Sequence, residues 1–589
     1  MSEIDPSPKK MNKIEIMRHS TAHVLAAAVL QMFPEAKIGT GPIIDNGFYY
    51  DFDLPRTLIP EDLPILEKKM KKLIGGNHPF DKEEVVIAEA KKLFSEASQN
   101  YKVELIEELS KLGEKKVSVY KTGNFVDLCR GPHLDSTGEI KAFKLTKISG
   151  AYWRGDENKP MLQRIYGVAF ATDKELKKHL ELLAEAKKRD HRKLGKELNL
   201  FVLSKNVGSG FPLLTPKGTI IRQELEKLMR EQLLQQDYKF VTTPHVGNLE
   251  LYKTSGHYQK YSDTMFPPIK VDGEELMLKP MNCPHHIEIY KSQKRSYREL
   301  PLRLAEFGTV YRNEKSGELS GLTRVRSITI DDAHHFVSPD QLQNELNDLI
   351  KITKDTYKAL QFTNFRVTLS LRDPKNKKNY IGDDKLWEKA ENDLREAVKN
   401  NELQSEEILG EAAFYGPKID FLVTDVLGRE WQLTTIQIDY SLPERFRLKY
   451  TDDKNKEVRP IMIHRGILGS LERFIGIMIE HFGGAFPLWL SPVQIQIIPI
   501  SDKFNDYTKK VKEKFVKENL RVEIDDRSES LGKKIREAEL AKIPYMLIVG
   551  EKEMKADSVA VRHLQDGDIG IKKTTSFVKE VVKERDNRE

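Results

Sequence analysis

Cysteine is almost missing from this chain of 589 residues: only Cys129 and Cys283 occur. Two thiols cannot build the disulfide framework of a small secreted domain. Long apolar runs are missing too, and nothing approaches the ~18–20 consecutive apolar residues that cross a bilayer. The opening MSEIDPSPKKMNK has no apolar core and no Arg/Ser-rich amphipathic pattern, so neither a secretory nor a transit segment is expected. Strong net charge is also absent. The 96 Lys+Arg against 90 Asp+Glu leave +6, which permits a polyanionic partner without demanding one. These absences point to a cytoplasmic protein with no membrane anchor. In that compartment a rare thiol is either an inert buried residue or a chemically employed one.

What is present is an ordinary globular composition, 39% hydrophobic and 32% charged, in a length that suits about three or four domains. Residues 1–13 are polar and Pro-containing and are expected to be disordered. Residues 14–172 mix helical and strand patterns, as an α+β domain would. Residues 173–198 predict one charged helix, a connecting rod with Leu176, Leu180 and Leu183 at helical spacing. Residues 199–490 place strands beside helices without a regular βαβ alternation, which predicts a mostly antiparallel sheet. Residues 491–589 alternate strand and helix, as a small α/β domain does. The expected fold class is α+β multidomain.

Three constellations carry chemistry. In MRHSTAHVLAAAVL, His19 and His23 are spaced i, i+4 and share one helix face. In DLCRGPHL, Cys129 and His133 have the same spacing, with Asp127 close by. Three imidazoles and a thiol make an acceptable four-ligand zinc set, or a hydrolytic pocket in which His positions or activates water. The second constellation is FGTVYRNEKSGELSGLTRVR, with Arg312 and Glu314 on a strand, then a Gly-containing hairpin and Arg324. Arg forks suit phosphate oxygens, and Glu accepts from an adenine amino group. Arg473, in GSLERF, follows Gly469 on a predicted helix and suits the other face of an adenine ring. The third constellation is Cys283 in KPMNCPHH, His334 in DDAHHF and His464 in IHRGIL. One Cys and two His with an open fourth position is the catalytic type of zinc site. Ligands so dispersed cannot be recognised by spacing, and a buried, inert Cys283 stays open on composition alone.

The strand ending at Pro244, the RNE hairpin with its arginines and the GSLERF helix resemble the three ordered motifs of class II aminoacyl-tRNA synthetases. KPMNCP, DDAH, FYGPKID, WQLTTIQIDYSLP and HRGILGSLERFIG narrow the resemblance to the threonyl-tRNA synthetase family. HSTAHVLAAAV and CRGPH resemble that family's editing domain, and IPYMLIVGEKEM…SVAVR its anticodon-binding domain. The resemblance covers the chain after about residue 14. It makes residues 14–172 an editing domain, 199–490 a class II catalytic domain built on an antiparallel sheet, and 491–589 an anticodon-binding domain.

It also implies a reaction: threonine and ATP, with Mg2+, give threonyl-adenylate, and the threonyl group passes to the 3′-terminal adenosine of threonine tRNA. One Zn2+ per chain would be held by Cys283, His334 and His464. Arg312, Glu314, Arg324, Gln437 and Arg473 would bind ATP, and Asp332, Tyr415 and Gln432 would line the threonine pocket. The catalytic set would be Arg312, Arg324, Arg473 and Gln432. His19, His23, Asp127, Cys129 and His133 would hydrolyse mischarged seryl-tRNA. Lys542, Glu553 and Arg562 fall where the family reads anticodon bases. A homodimer is implied as well.

Three departures stand out. The family usually begins with a small ubiquitin-like domain, and here only about a dozen polar residues precede the editing segment, so that module is expected to be absent. Ile328 stands where the family commonly has an aromatic residue stacked on adenine. Ile330 stands where it commonly has Gln. Weaker ATP or threonine binding is expected from both. Three other readings stay open on the residues: activation of a different amino acid, a non-catalytic RNA-binding paralogue, and a zinc-holding rather than metal-free editing pocket.

Overall fold

A computed structural model describes residues 11–156 and 158–588. The expected disorder at the N-terminus falls almost entirely outside them. The described chain divides into two compact units that meet in sequence at Ala184/Glu185, inside the expected linker.

The first unit opens with the helix Lys13–Met32. Asn12 and Glu15 form a reciprocal capping box that satisfies two orphan N–H groups at its start. The stretch Ala22–Val29 is buried all round rather than on one stripe, so this helix is a core element. It packs on an antiparallel sheet ordered Lys37–Ile38, Gly47–Asp53, Met161–Phe170 and Ala142–Tyr152. A smaller antiparallel sheet, Asp81–Val86, Lys116–Thr122 and Phe125–Leu128, carries the approach to Cys129.

The expected single rod over 173–198 is instead two helices, Asp173–Arg189 and His191–Glu197. Asp190 breaks it. Its side chain accepts the Arg192 N–H and starts a new helix, the ordinary behaviour of an Asp N-cap. Within Asp173–Arg189 no residue is buried, so its leucines do not serve a core.

The second unit is built on an eight-stranded sheet. Its order is Lys239–Phe240, Leu302–Tyr311, Ser327–Val337, Ile461–Ser470, Glu430–Asp439, Lys418–Thr424, Phe365–Leu371, Ser405–Leu409. The six central strands pair antiparallel, as expected, and only the two outermost strands join parallel. The helices Pro216–Leu234, Leu342–Ala359, Asp384–Asn400 and Leu471–Phe482 contribute to one large apolar core with this sheet. Side chains alternate along a strand, so the opposite face of Ser327–Val337 presents Ile328, Ile330, Asp332 and His334 together.

The chain ends in a five-stranded sheet ordered Val522–Ile524, Ile495–Pro499, Tyr545–Val549, Ser558–His563, Gly567–Lys573. Three strands are parallel, the last two antiparallel, with helices between. Arg521 docks this piece on the larger sheet domain. It donates to Glu224 at 2.5 Å and to the carbonyls of Trp489 and Ser491 at 2.6 and 2.9 Å. No helix among the described residues is long and apolar enough to cross a membrane.

Candidate active sites

In the first unit, Nε2 of His19 lies 3.3 Å from Cys129 Sγ, and Nε2 of His133 lies 3.4 Å from it. His23 completes the group, and one ligand-type atom from each of the four falls within 4.8 Å of the others. The i, i+4 spacing puts both helix histidines on one face, and Gly131 lets the Cys129–His133 turn close over them. Its φ is +73°, and a Cβ there would meet the Tyr120 hydroxyl at 2.1 Å.

Around this group runs a buried network in which Asp127, named from the sequence, meets two residues that were not. Asp127 is 3.5 Å from His23, accepts the Tyr50 hydroxyl at 2.5 Å, and pairs with Lys102 at 2.5 Å. Tyr50 and Lys102 lie on separate elements, so no local motif announces them. Burial lowers the pKa of His19, and lowers those of His23 and His133 much further, helped by their mutual proximity. Burial and Asp127 push the Cys129 thiol up to about 12. At neutral pH the pocket therefore offers neutral imidazoles and a protonated thiol. His19, the least depressed of the three, is the imidazole best able to accept a proton from water, while the thiol can donate a hydrogen bond but is not a nucleophile.

In the second unit, a cavity of about 570 Å³ opens on the free face of the eight-stranded sheet. Cys283, His334 and His464 line it, with their ligand-type atoms within 4.8 Å of one another. Arg312, Glu314, Arg324 and Arg473 line the cavity too, as do Asp332, Tyr415, Gln432 and Gln437. Ile328 and Ile330 line it as the sequence placed them.

The polar contacts order these side chains. Tyr415 donates to Gln437 Oε1 at 2.5 Å, and Gln432 donates to Asp420 at 2.6 Å. Asn282 donates to Asp332 at 3.0 Å. That approach requires Gly308, where a Cβ would fall 2.5 Å from the Asn282 amide. Arg324 pairs with both Glu314 and Glu318, at 2.9 and 2.7 Å. Arg473 donates to the Thr323 carbonyl at 3.2 Å. Burial and the nearby Arg312 and Arg324 lower the Arg473 pKa, the signature of cations crowded together where a polyanion would relieve them.

The donor set suits zinc. His334 Nδ1 is 2.8 Å from His286, and His464 Nε2 is 2.9 Å from Asp439, so each ring keeps its other nitrogen for a metal while an outer partner holds the tautomer. Burial, with Asp332 and Asp439 nearby, pushes the Cys283 thiol well up, and a divalent cation would reverse that preference. His286 in turn lies 3.3 Å from Glu306, and His257 stands 3.7 Å from Cys283. None of these outer partners was marked by the sequence. Each comes from a different element.

The three anticodon candidates sit in the C-terminal sheet domain. Glu553 accepts the Gly550 N–H at 3.0 Å and so caps the helix Glu551–Ala556. Arg562, on the strand Ser558–His563, pairs with Glu539 at 3.8 Å. Lys542 follows the helix Leu531–Leu540 in a left-handed conformation, φ +59°.

Comparison with known families places this geometry. A model described as the class II tRNA synthetase core domain (G, H, P, S and T) matches residues 267–482. An anticodon-binding domain matches 494–585, and the second additional domain of threonyl and alanyl tRNA synthetases matches 117–166. Sheet, arginines and domain matches together define a class II aminoacyl-tRNA synthetase. A threonine–tRNA ligase of Porphyromonas gingivalis is 51% identical over 573 residues, 97% of this chain and 87% of that one. One from Deinococcus radiodurans is 54% identical over 555 residues, covering 93% and 85%. A solved structure of the RNA-binding domain of Cryptosporidium parvum threonyl-tRNA synthetase superposes with TM-score 0.64 at 38% identity, over 67% of this chain and 98% of that one. The chain belongs to the threonine–tRNA ligase family.

Proposed function

We propose that this enzyme activates threonine with ATP, charges threonine tRNA, and hydrolyses seryl-tRNA in its first unit. One observation carries the reading. One cavity is lined both by a Cys/His/His set and by three arginines with Glu314. Arg312, Arg324 and Arg473 hold the phosphates and offset charge that develops as pyrophosphate leaves, and Mg2+ bound with ATP would add to that neutralisation. Glu314 accepts from the adenine amino group once Arg324 exchanges its carboxylate partners for phosphate. Asp332, with Tyr415, Gln432 and Gln437, orients the amino acid. Cys283, His334 and His464 would hold a zinc ion, which when bound would offer one position to an amine and another to a hydroxyl, and valine would leave the second unfilled.

Serine carries the same hydroxyl and lacks only a methyl, worth about 1–3 kcal/mol of discrimination. A second, hydrolytic sieve therefore fits the chemistry, and the His19/His23/Cys129/His133 pocket beside Asp127 supplies it. Lys542, Glu553 and Arg562 belong to the surface proposed to read the anticodon. The enzyme is read as a cytoplasmic homodimer, on resemblance to the family; sedimentation tests the dimer.

Cys283→Ala is expected to lower bound zinc and threonine-dependent ATP–pyrophosphate exchange together. Full zinc content with full exchange in that variant would reject the site. The double variant Cys129→Ala/His19→Ala is expected to slow seryl-tRNA deacylation by at least about 100-fold, the scale of a lost general acid–base group. Clearance at the parent's rate would reject the editing assignment.

A further inference from the structure

Asp190, His191 and Glu480 bring three ligand-type atoms within 4.8 Å of one another, and none of them lines the cavity. Their hydrogen bonds argue against a metal. His191 is 3% exposed, and both ring nitrogens are engaged: Nδ1 is 2.6 Å from Glu480 Oε1, and Nε2 is 3.1 Å from the Leu322 N–H. A backbone N–H can only donate, so Nε2 is the bare nitrogen and Nδ1 carries the proton that goes to Glu480. The His191 N–H also donates to Glu480 Oε1 at 3.1 Å, and the other carboxylate oxygen takes Arg429. Asp190 is occupied by Arg192. The cluster is a saturated lock.

What it locks matters. Leu322 is fully buried, and the next two residues, Thr323 and Arg324, line the cavity. The Thr323 carbonyl accepts Arg473, and Arg324 supplies a guanidinium. Glu480 lies seven residues after Arg473 on the helix Leu471–Phe482, hence on nearly the same face. One imidazole therefore ties the loop that presents Arg324 to the helix that presents Arg473. One glycine makes room for it: a Cβ at Gly321, where φ is +53°, would fall 2.2 Å from His191 Nε2.

We propose that His191 is a positioning residue for the nucleotide subsite: by bridging the Leu322 N–H and Glu480 it presets the separation of Arg324 and Arg473. The inference rests on reading this cavity as an ATP site. It concerns neither the Cys/His/His set nor the amino-acid pocket.

The test is ATP–pyrophosphate exchange on the full chain with His191→Asn and His191→Gln. The Asn amide reaches only the Nδ1 position and keeps Glu480, whereas the Gln amide reaches the Nε2 position and can accept from Leu322. His191→Asn is expected to raise the KM for ATP about tenfold, the scale of one buried N–H left unsatisfied. Its KM for threonine and its seryl-tRNA deacylation should stay within about twofold. His191→Gln should recover most of the ATP affinity. If His191→Asn does not fold, Gly321→Ala, which presses on Nε2 from the loop side, should give the same split. An unchanged KM for ATP in a folded variant, or equal rises for ATP and threonine, would overturn the role. No threonine-dependent exchange in the parent would instead sink the ATP reading on which the role depends.

Discussion

Ile328 and Ile330 share a strand face with Asp332 and His334, and all four line the cavity. An isoleucine covers an adenine face by dispersion but supplies no aromatic stack, a difference of about 0.5–1.5 kcal/mol. Ile328→Phe is therefore expected to lower the KM for ATP a few-fold, and Ile330→Gln to lower that for threonine, both measured by pyrophosphate exchange. No change in either constant would show that neither departure matters. At this scale, much of the site was legible in the sequence. Arg312, Glu314, Asp332, Tyr415 and Arg473 do share one cavity. The reason is resemblance rather than spacing, because Cys283, His334 and His464 are separated by many elements. Their outer partners His286, Asp439 and Glu306 were invisible, since a buried polar residue looks like any other until the fold supplies its partner.

Among the elements, the strand Ser327–Val337 does two jobs. One face lines the cavity, while His335, on the other, lies 2.8 Å from Glu345 of the helix Leu342–Ala359. Arg303 donates to the same carboxylate at 2.8 Å. Burial alone would raise the Glu345 carboxyl, but His335 and Arg303 outweigh it and hold it at about 2, against an ordinary 4.5. A depressed carboxylate stabilises the fold above its unfolded pKa, and that stability is lost as pH falls from about 4.5 toward 2. The contribution at neutral pH is on the order of 3 kcal/mol. Glu345→Gln should unfold several degrees below the parent at pH 7, with the gap narrowing by pH 3 in thermal melts. The same gap at both pH values would contradict this account. Element boundaries were less legible. The rod over 173–198 was read as continuous from Leu176, Leu180 and Leu183, all in its first half; residues 187–193 carry no apolar side chain, and Asp190, a strong N-cap, starts a new helix there.

At the scale of the whole molecule, two pockets in two compact units divide one problem of specificity. On the proposed function, the Cys/His/His set of the cavity would separate threonine from valine by a hydroxyl, and the His19/His23/Cys129/His133 pocket would remove serine, which shares that hydroxyl. The α+β class, the antiparallel central sheet and the C-terminal α/β piece were legible because strand and helix patterns alternate differently in each segment. The parallel outer strands were not, since they form through long-range pairing that no local pattern encodes. The most direct measurement is ATP–pyrophosphate exchange with threonine, serine and valine, with zinc content determined on the same sample. The account predicts about one zinc per chain, with exchange supported by threonine, supported measurably by serine, and not supported by valine. Valine exchanging as well as threonine, or full discrimination in zinc-free protein, would contradict it.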